Sequence, residues 1–251
     1  MRIVSAGITD IGRKRDRNED SFLINDELQL FVVADGMGGH VGGEYASALA
    51  VNTVEEIILG MELPSEVGDA DPDPVETIKE RLREAVRLAG HRIHEWASDH
   101  PEYRGMGTTV VVVLVHGGNA YLAHVGDSRI YAVRERAIHQ ATEDHSLVAQ
   151  AIREGLLTEE QARFHRVRNV ITRALGFDRM VEVDVHVQAV VRGDVFLLCS
   201  DGLSGKVDDG EMRDAVLQHE PQEAARHLVG LACQRGGEDN ITVVVVRVEG
   251  A

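Results

Sequence analysis

Three apolar, β-branched segments follow one another in the middle of the chain, and the links between them are too short to contain a helix. The segments are 108–115, 120–125 and 129–133, and the links are 116–119 and 126–128. A crossover between parallel strands needs roughly a dozen residues or more, so such links require antiparallel pairing. The three segments are therefore predicted to be antiparallel neighbours. The unbroken apolar run at 110–115 predicts a strand that is covered on both faces.

Other segments add strands and helices to this sheet. Further apolar runs predict strands at 22–24, 28–34, 181–187, 194–199 and 241–248. Apolar residues spaced by three or four positions predict helices over about 43–59, 75–96 and 222–234, and a capping box at 158–161 begins a shorter helix. Strands and helices that do not alternate strictly are typical of the α+β class, with sheet layers and helices outside them.

The length and the loops favour one domain. The 251 residues contain no internal repeat and fit a single domain that spans 1–251. The segment 60–73 is rich in proline and acidic residues, and it is predicted to be a mobile surface loop between two helices.

The composition limits the partners and the compartment of the chain. With 26 basic and 42 acidic residues, the formal net charge is −16. Such a surface repels nucleic acids and anionic lipids, so neither nucleic acid nor membrane is expected as a partner. The chain has no apolar run of about 18 residues, no secretory signal pattern and 2 cysteines. These features predict a protein of the reducing cytoplasm. A substrate that carries phosphate would need local positive charge, from arginines or from metal ions.

Acidic residues stand at the ends of predicted strands, where the fold would bring them together. Glu19 and Asp20 come just before one strand, and Asp35 comes just after the next. In an antiparallel hairpin the start of the first strand meets the end of the second, so these carboxylates are expected at one sheet edge. If the strands 194–199 and 241–248 are antiparallel, Asp201 after the first would meet Asp239 before the second in the same way.

Converging carboxylates repel one another unless a cation lies among them. Mg²⁺ or Mn²⁺ suits such an all-oxygen ligand set, whereas no His/Cys cluster has the spacing of a zinc site. A plain alternative stays open, because a single Asp-Gly pair is more typical of a turn than of a metal ligand. Asp127, which stands between Gly126 and Ser128, could simply form a hairpin turn.

Eight short motifs occur in order along the chain. They are RDRNED at 15–20, DGMGGH at 35–40, GTT at 107–109, GDSR at 126–129, TEDHS at 142–146, RNVITRALG at 168–176, SDGL at 200–203 and DN at 239–240. With these motifs the chain resembles a bacterial metal-dependent serine/threonine protein phosphatase of the protein phosphatase 2C-like (PPM) family. The resemblance covers about residues 3–248. It implies a central β-sandwich of two antiparallel sheets flanked by helices in four α-β-β-α layers, with a small flap segment near 144–176 and the metals in a cleft at one end.

The resemblance also implies a binuclear Mn²⁺ or Mg²⁺ centre. By motif position, Asp35 would bridge the two ions and Gly36 would offer its carbonyl oxygen. Asp201 and Asp239 would complete the first ion's site, and Asp127 would help to bind a third, weaker ion. Two divalent ions about 3.5–4 Å apart orient a phosphoryl group and lower the pKa of a bound water, which then attacks phosphorus directly.

Three further residues are implied to act in the reaction. Glu19 and Asp20 would hold water on the metal ions, and Arg15 would bind the substrate phosphate. A planar guanidinium engages phosphate oxygens bidentately. Arg15 and the metal ions would thus supply the local positive charge that an acidic chain lacks.

Two positions depart from the family pattern. Gly205 stands where the family often has an Asp that helps to bind the third ion, so this ion is expected to bind more weakly here. Met37 stands where eukaryotic relatives have a His that is proposed as general acid, and Met cannot donate a proton. His40 is one candidate substitute, although a structural role at the start of a helix is the favoured interpretation. Water on a metal ion is another candidate.

The expected function is therefore metal-dependent hydrolysis of phosphoserine and phosphothreonine in proteins. The expected partners are phosphorylated proteins, the substrates of a cognate Ser/Thr kinase, and the expected oligomeric state is a monomer. Two alternatives stay open: a metal-dependent hydrolase of small phosphate esters, and a catalytically inactive regulator that binds phosphoproteins. The presence of Asp35, Asp201 and Asp239 argues against the inactive regulator. The flap near 144–176 is interpreted equally well as a contact for protein substrates or as a structural lid.

Overall fold

The computed structural model describes residues 2–38, 42–64 and 73–250. In these ranges two antiparallel β-sheets pack face to face, and helices cover the outer face of each sheet. The layers run helix, sheet, sheet, helix, which confirms the predicted α+β sandwich. No helix in these ranges is long and apolar enough to cross a membrane. His40, and residues 65–72 of the predicted loop, lie outside the described residues.

The elements are numbered in chain order. The strands are β1 (Arg2–Asp10), β2 (Asp20–Asn25), β3 (Leu30–Met37), β4 (Gly107–Thr108), β5 (Val110–His116), β6 (Asn119–Val125), β7 (Arg129–Arg134), β8 (Ala137–Gln140), β9 (Asp184–Ala189), β10 (Val195–Cys199) and β11 (Ile241–Glu249). The helices are α1 (Gly42–Leu59), α2 (Pro74–Asp99), α3 (Leu147–Arg153), α4 (Glu159–Arg163), α5 (Asp201–Ser204), α6 (Asp209–Gln218) and α7 (Pro221–Gln234).

Each sheet carries its own set of helices. The first sheet has the strand order β1-β11-β10-β7-β8, and the second has the order β2-β3-β5-β6-β9, with β4 paired to β3. Helices α5, α6 and α7 cover the first sheet, and α1 and α2 cover the second. A third apolar cluster fills the space between the two sheets.

Strand β3 shows how the sequence produces these layers. Leu30 and Val32 pack against the helices, whereas Phe31 and Val33 pack against the other sheet. Successive side chains of a strand point to opposite faces, so a strand covered on both faces is apolar at every position. The same holds for 110–115, as predicted, where every residue is at most 3% exposed.

The prediction that 120–125 and 129–133 are antiparallel neighbours is wrong. Strand β6 pairs with β5 and β9 in the second sheet, whereas β7 pairs with β10 and β8 in the first. The link 126–128 instead carries the chain across from one sheet to the other. Gly126 turns this corner with a φ of +106°, in a region that glycine enters without steric cost. Short links thus exclude parallel pairing, but they do not exclude a crossing between sheets.

The apolar patterns above assign no strand or helix to β1, β8 and α6. Strand β1 is a nine-residue edge strand that pairs with β11 along its whole length. Strand β8 follows a tight turn in which Glu135 and Arg136 have φ of +48° and +68°, although Asn and Gly are the usual residues of such turns. Helix α6 begins with a capping box between Asp208 and Glu211, a signal that is visible in the sequence.

The segments that carry the candidate site residues lie together at one end of the sandwich. The loop between β1 and β2, the end of β3, the 126–128 link and the segments beside β10 and β11 meet there. Together they line a cleft of about 590 Å³. The antiparallel register and the crossing between sheets therefore bring distant parts of the sequence to one place.

Candidate metal centre

Asp20 and Asp35 stand opposite each other in the hairpin of β2 and β3. The Gly36 N–H donates to the carbonyl oxygen of Glu19 at 3.1 Å, which extends the pairing by one residue. A Cβ on Gly36 would lie 2.1 Å from the carbonyl oxygen of Gly43 in α1, so only glycine fits between the hairpin and the helix. The structure brings Glu19, Asp20 and Asp35 to one sheet edge, as the hairpin argument predicts.

The backbone of Asp35 is fixed by two threonines. Its N–H donates to Oγ1 of Thr109 at 3.0 Å. Its carbonyl oxygen accepts from the Thr109 N–H at 2.9 Å and from the Thr108 hydroxyl at 2.9 Å. These bonds leave the Asp35 carboxylate as the free polar group of the residue, half-buried at the cleft.

Asp201 and Asp239 come from the neighbouring strands β10 and β11 of the first sheet. The two strands are antiparallel, with Cys199 opposite Val243, so the residue that begins α5 lies near the residue that precedes β11. Asp239 is the strongest charged neighbour of Asp201. Both carboxylates line the same cleft as Asp35, which joins the two predicted pairs in one site.

Asp20 connects the two sheets at the base of the cleft. Its Oδ2 accepts from the hydroxyls of Ser200, which directly follows β10, at 2.8 Å and of Thr242 in β11 at 2.6 Å. Its Oδ1 is buried and has no hydrogen-bond partner among the described residues. A buried carboxylate oxygen without a partner is costly, so this atom requires water or a cation beside it.

The electrostatics of the cleft favour bound cations. Burial, reinforced by neighbouring carboxylates, raises the pKa of Asp20 to about 7, the pKa of Asp127 to about 7 and the pKa of Asp201 to about 6. Burial and the charges of Asp20 and Asp201 also raise the pKa of Asp35 well above its usual range. Without a cation, these groups resist ionising together near neutral pH.

The donor set fits a hard divalent cation. The acidic groups at the cleft are all oxygen donors, which Mg²⁺ and Mn²⁺ prefer. The buried Oδ1 of Asp20 and the mutual repulsion of the carboxylates both call for positive charge at this place. No His or Cys side chain lines the described part of the cleft.

Asp127 lies at the corner where the chain crosses between the sheets. Asp201 is its strongest charged neighbour. The hydroxyl of the next residue, Ser128, lies 2.7 Å from Oγ1 of Thr109, which also holds the Asp35 backbone. The alternative interpretation of Asp127 as part of a hairpin turn is therefore wrong, because the corner joins two sheets and faces the cleft.

Arg15 and Arg17 are exposed on the loop between β1 and β2, and they make different contacts. Arg15 donates from Nη2 to Oδ2 of Asp239 at 2.8 Å, at the cleft. Arg17 lies 3.8 Å from the carboxylate of Glu44 on α1. Both arginines line the cleft, but only Arg15 is bound to a carboxylate of the site, whereas Arg17 pairs with the first turn of α1.

Sequence reasoning assigned no role to Asn240, although the residue belongs to one of the eight motifs. Its Oδ1 accepts from the Glu19 N–H at 2.8 Å. Its Nδ2 donates to the carbonyl oxygens of Ile11 at 3.0 Å and Arg17 at 2.9 Å. One buried side chain therefore fixes both ends of the loop that carries Arg15.

The two departures from the family pattern lie beside the cleft. Gly205 ends α5 with a φ of −75°, so its backbone imposes no need for glycine, and it offers no carboxylate. The adjacent Lys206 forms an ion pair with Glu238. Met37 lines the cleft and pairs with Gly107 of β4.

The predicted flap contains two short helices, α3 and α4. Its returning segment contributes Asn169 and Ile171 to the lining of the cleft. The two ends of the flap are joined by a bridge between Ser146 and Ile171. The flap is therefore attached at the rim of the candidate site.

Comparisons with known proteins agree with this geometry. The family model "Protein phosphatase 2C" matches residues 12–231. The chain is 36% identical over 243 residues to the protein phosphatase PhpP of Streptococcus pneumoniae, with 95% of each chain covered. It is similar to the crystal structure of the Mycobacterium tuberculosis serine/threonine phosphatase PstP/Ppp, with a TM-score of 0.87, 36% identity and 99% of each chain covered.

A further solved structure is the catalytic domain of serine/threonine protein phosphatase PstP in complex with two manganese ions. The TM-score is 0.85 at 35% identity, with 99% of each chain covered. The family match, the near full-length relative and the layered sandwich with its acidic cleft lead to one conclusion. The chain belongs to the protein phosphatase 2C family.

Proposed function

We propose that this chain is a metal-dependent phosphatase that hydrolyses phosphoserine and phosphothreonine in proteins. The observation that carries the proposal is the convergence of Asp35, Asp201 and Asp239 with Arg15 in one cleft, with the buried Asp20 opposite Asp35 in the hairpin. Relatives that are named serine/threonine phosphatases, at 36% identity over 95% of the chain, support the same reaction.

In this proposal two Mn²⁺ or Mg²⁺ ions bind among the cleft carboxylates. Asp35 and the carbonyl oxygen of Gly36 would hold the ions from the β3 edge, and Asp201 and Asp239 would hold them from the opposite sheet. When bound, such ions neutralise phosphoryl oxygens and supply a nucleophile at neutral pH. Asp127 provides a ligand for a third, weaker ion, and Gly205 leaves that ion without a further carboxylate.

The remaining side chains act on water and substrate. Glu19 and Asp20 accept hydrogen bonds from water, and Asp20 is held for this task by Ser200 and Thr242. Arg15 binds the substrate phosphate: its ion pair with Asp239 uses Nη2, and the other guanidinium nitrogens carry further N–H donors. Positive charge thus appears locally in a chain whose net charge is −16.

The proposal extends to the setting of the enzyme. Residues 1–251 form a single catalytic domain that acts as a monomer in the cytoplasm on the targets of a cognate Ser/Thr kinase. The acidic net charge supports protein substrates over nucleic acid.

A phosphatase assay on a phosphothreonine peptide tests the function. The protein is treated with chelator, and phosphate release is measured with and without added Mn²⁺, beside a set of small phosphate esters. Release from the peptide that requires Mn²⁺ supports the proposal. Turnover of the small esters alone would favour a small-molecule hydrolase, and binding of the peptide without turnover would favour an inactive regulator.

A further inference from the structure

Two histidines and an aspartate come together behind the Asp127 corner. His124, His145 and Asp184 offer ligand atoms that lie within 4.8 Å of one another, although no spacing in the sequence indicates this cluster. The guanidinium of Arg173 lies where a metal ion would contact this cluster: its Nη1 lies 3.1 Å from Nε2 of His145 and 3.4 Å from Oδ1 of Asp184. Arg173 therefore supplies the positive charge beside these residues, in place of a metal ion.

His145 makes two reciprocal contacts with Gly126. The Gly126 N–H donates to Nδ1 of His145 at 3.1 Å, and the His145 N–H donates to the Gly126 carbonyl oxygen at 2.9 Å. Because an N–H can only donate, Nδ1 is the unprotonated nitrogen of the ring and Nε2 carries the proton. Nε2 then donates to Asp184 at 3.0 Å, which fixes the orientation of the ring. Arg173 Nη1 also only donates, so it contributes its charge beside Nε2 and not a hydrogen bond to it.

A second contact holds the other side of the corner. Arg129 forms a bidentate ion pair with Asp144, with Nη2 2.7 Å from Oδ2. The corner 126–129 is thus bound on both sides of Asp127 by two consecutive residues at the root of the flap.

The same histidine also binds the C-terminal end of the flap through its backbone. Its carbonyl oxygen accepts from the Thr172 N–H at 2.7 Å, and Thr172 stands next to Ile171, which lines the cleft. One residue therefore connects the backbone that places the Asp127 carboxylate with the flap segment at the rim.

We infer that His145 is a positioning residue that sets the Gly126–Asp127 corner for the third cation and couples that cation to the order of the flap. The inference rests on the proposed function insofar as Asp127 is a cation ligand. Residues that orient metal ligands commonly contribute about 10–100-fold to metal affinity, so this magnitude is expected for the loss of the His145–Gly126 bond.

Two variants distinguish the role of Nδ1, which contacts Gly126, from that of Nε2, which contacts Asp184. His145→Asn keeps an acceptor near the place of Nδ1 and loses the contact with Asp184. His145→Gln places its amide near Nε2 and loses the acceptor for Gly126. His186→Ala is the matched control, because this exposed histidine also lies beside the cluster, with its ring 6.2 Å from that of His124.

Calorimetric titration of Mn²⁺ into the chelator-treated protein measures the weak third binding event. His145→Gln should weaken this event about tenfold or more, whereas His145→Asn and His186→Ala should stay near wild type. The inference would be overturned if His145→Asn weakened the third binding event more than His145→Gln, or if all variants bound the third ion equally. It would also be overturned if the wild type showed no third binding event. The melting temperature of each variant is measured in parallel. If His145 had a purely structural role, the loss of third-ion affinity would track the loss of melting temperature across the variants.

Limited trypsin digestion gives a readout that does not depend on hydrolysis of any phosphoester. In the wild type, Mn²⁺ at the concentration of the third event should slow cleavage within 153–168, and His145→Gln should remove this protection. Protection that persists in His145→Gln contradicts the coupling. Since neither readout uses phosphatase activity, failure of the proposed function appears separately, as lack of peptide turnover by the wild type.

Discussion

The guanidinium of Arg15 donates to the carboxylate of Asp239 at 2.8 Å. This contact joins the loop after β1 to the residue before β11, more than two hundred positions along the chain. The same carboxylate is a proposed metal ligand, and the same guanidinium is the proposed phosphate ligand. In the proposed function, a metal ligand, Asp239, would therefore position the group that binds the phosphate.

Replacement of Arg15 by Ala should raise KM for a phosphopeptide about tenfold, with a smaller loss of kcat. A hydrogen bond to a charged group contributes about 1.5–3 kcal/mol, and a contact already made with bound substrate acts mainly on KM. Steady-state kinetics on a phosphothreonine peptide measures both constants.

Arg17→Ala is the matched control for this change. Arg17 contacts Glu44 of α1 rather than a carboxylate of the cleft, so its removal should leave both constants nearly unchanged. Equal kinetic damage from both variants would show that the phosphate ligand has been misassigned.

Asp201→Asn and Asp239→Asn should each abolish turnover while the fold is kept. An amide is a weaker ligand for a divalent ion, and it also removes a negative charge from a crowded group of carboxylates. In metal-free protein the melting temperature of Asp201→Asn should thus equal or exceed that of wild type, because burial and Asp239 disfavour its charged form. Full turnover by wild-type protein after exhaustive chelation would contradict the metal mechanism as a whole.

The stability of the metal-free protein should fall as pH rises from about 4 to about 7. The folded-state pKa is raised to about 7 for Asp20 and Asp127 and to about 6 for Asp201. Their stabilising effect is therefore complete below the unfolded pKa and is lost as pH rises through the folded pKa. Each pKa unit corresponds to about 1.4 kcal/mol, and 1 kcal/mol shifts Tm by about 2–4 °C in a chain of this size.

Thermal melts at several pH values, with chelator or with Mn²⁺, check this dependence. The difference in Tm between the metal-loaded and metal-free protein should widen toward neutral pH, and Asp20→Asn should reduce the slope of the metal-free series. A metal-free Tm that rises between pH 5 and 7 would contradict the raised pKa values.

Asp127→Ala should lower turnover on protein substrates and remove only the weak third binding event. Two firmly bound ions should remain in calorimetric titrations with Mn²⁺. Loss of a high-affinity event instead would mean that Asp127 belongs to the two-metal centre.

Gly205→Asp is the complementary change, because it restores the carboxylate that the family often has at this position. The backbone there has a φ of −75°, which any residue adopts, although a Cβ would lie 3.0 Å from the carbonyl oxygen of Asp201. The third event should become tighter in this variant. Unchanged third-ion affinity would show that Gly205 is not what weakens that site.

Replacement of Asn240 by Ala should destabilise the protein by about 2 kcal/mol, since three hydrogen bonds of about 1 kcal/mol or less each are lost. The loop that carries Arg15 and Glu19 then loses its three bonds to Asn240, so KM should rise as well. Denaturant unfolding and steady-state kinetics measure these effects. Asn240→Asp keeps the acceptor for the Glu19 N–H, but it places a carboxylate oxygen against the carbonyl oxygens of Ile11 and Arg17, so it should destabilise the protein at least as much as Ala.

The sequence by itself determined the class of fold and the carboxylates of the site. Apolar runs with short links require antiparallel strands, and antiparallel pairing brings residues at opposite strand ends together, so Asp20 met Asp35 and Asp201 came close to Asp239. The first is a local argument, because a hairpin's register follows from its own turn and its own pattern, whereas the second also needs two strands that are distant in sequence to pair antiparallel. The eight motifs indicate the family, and through the family they predict the roles of the individual site residues.

Only the tertiary structure decided how the two pairs of carboxylates face each other. Which sheet a strand joins depends on packing between distant segments. The short link 126–128 therefore predicts a turn within one sheet, although it crosses between two. The same holds for Asn240, whose partners Glu19 and Ile11 lie at the other end of the chain. It holds also for His145 and Gly126, whose contact forms only where the flap root packs against the crossing. Such contacts follow from burial in three dimensions, which a one-dimensional pattern of apolar and charged residues does not specify.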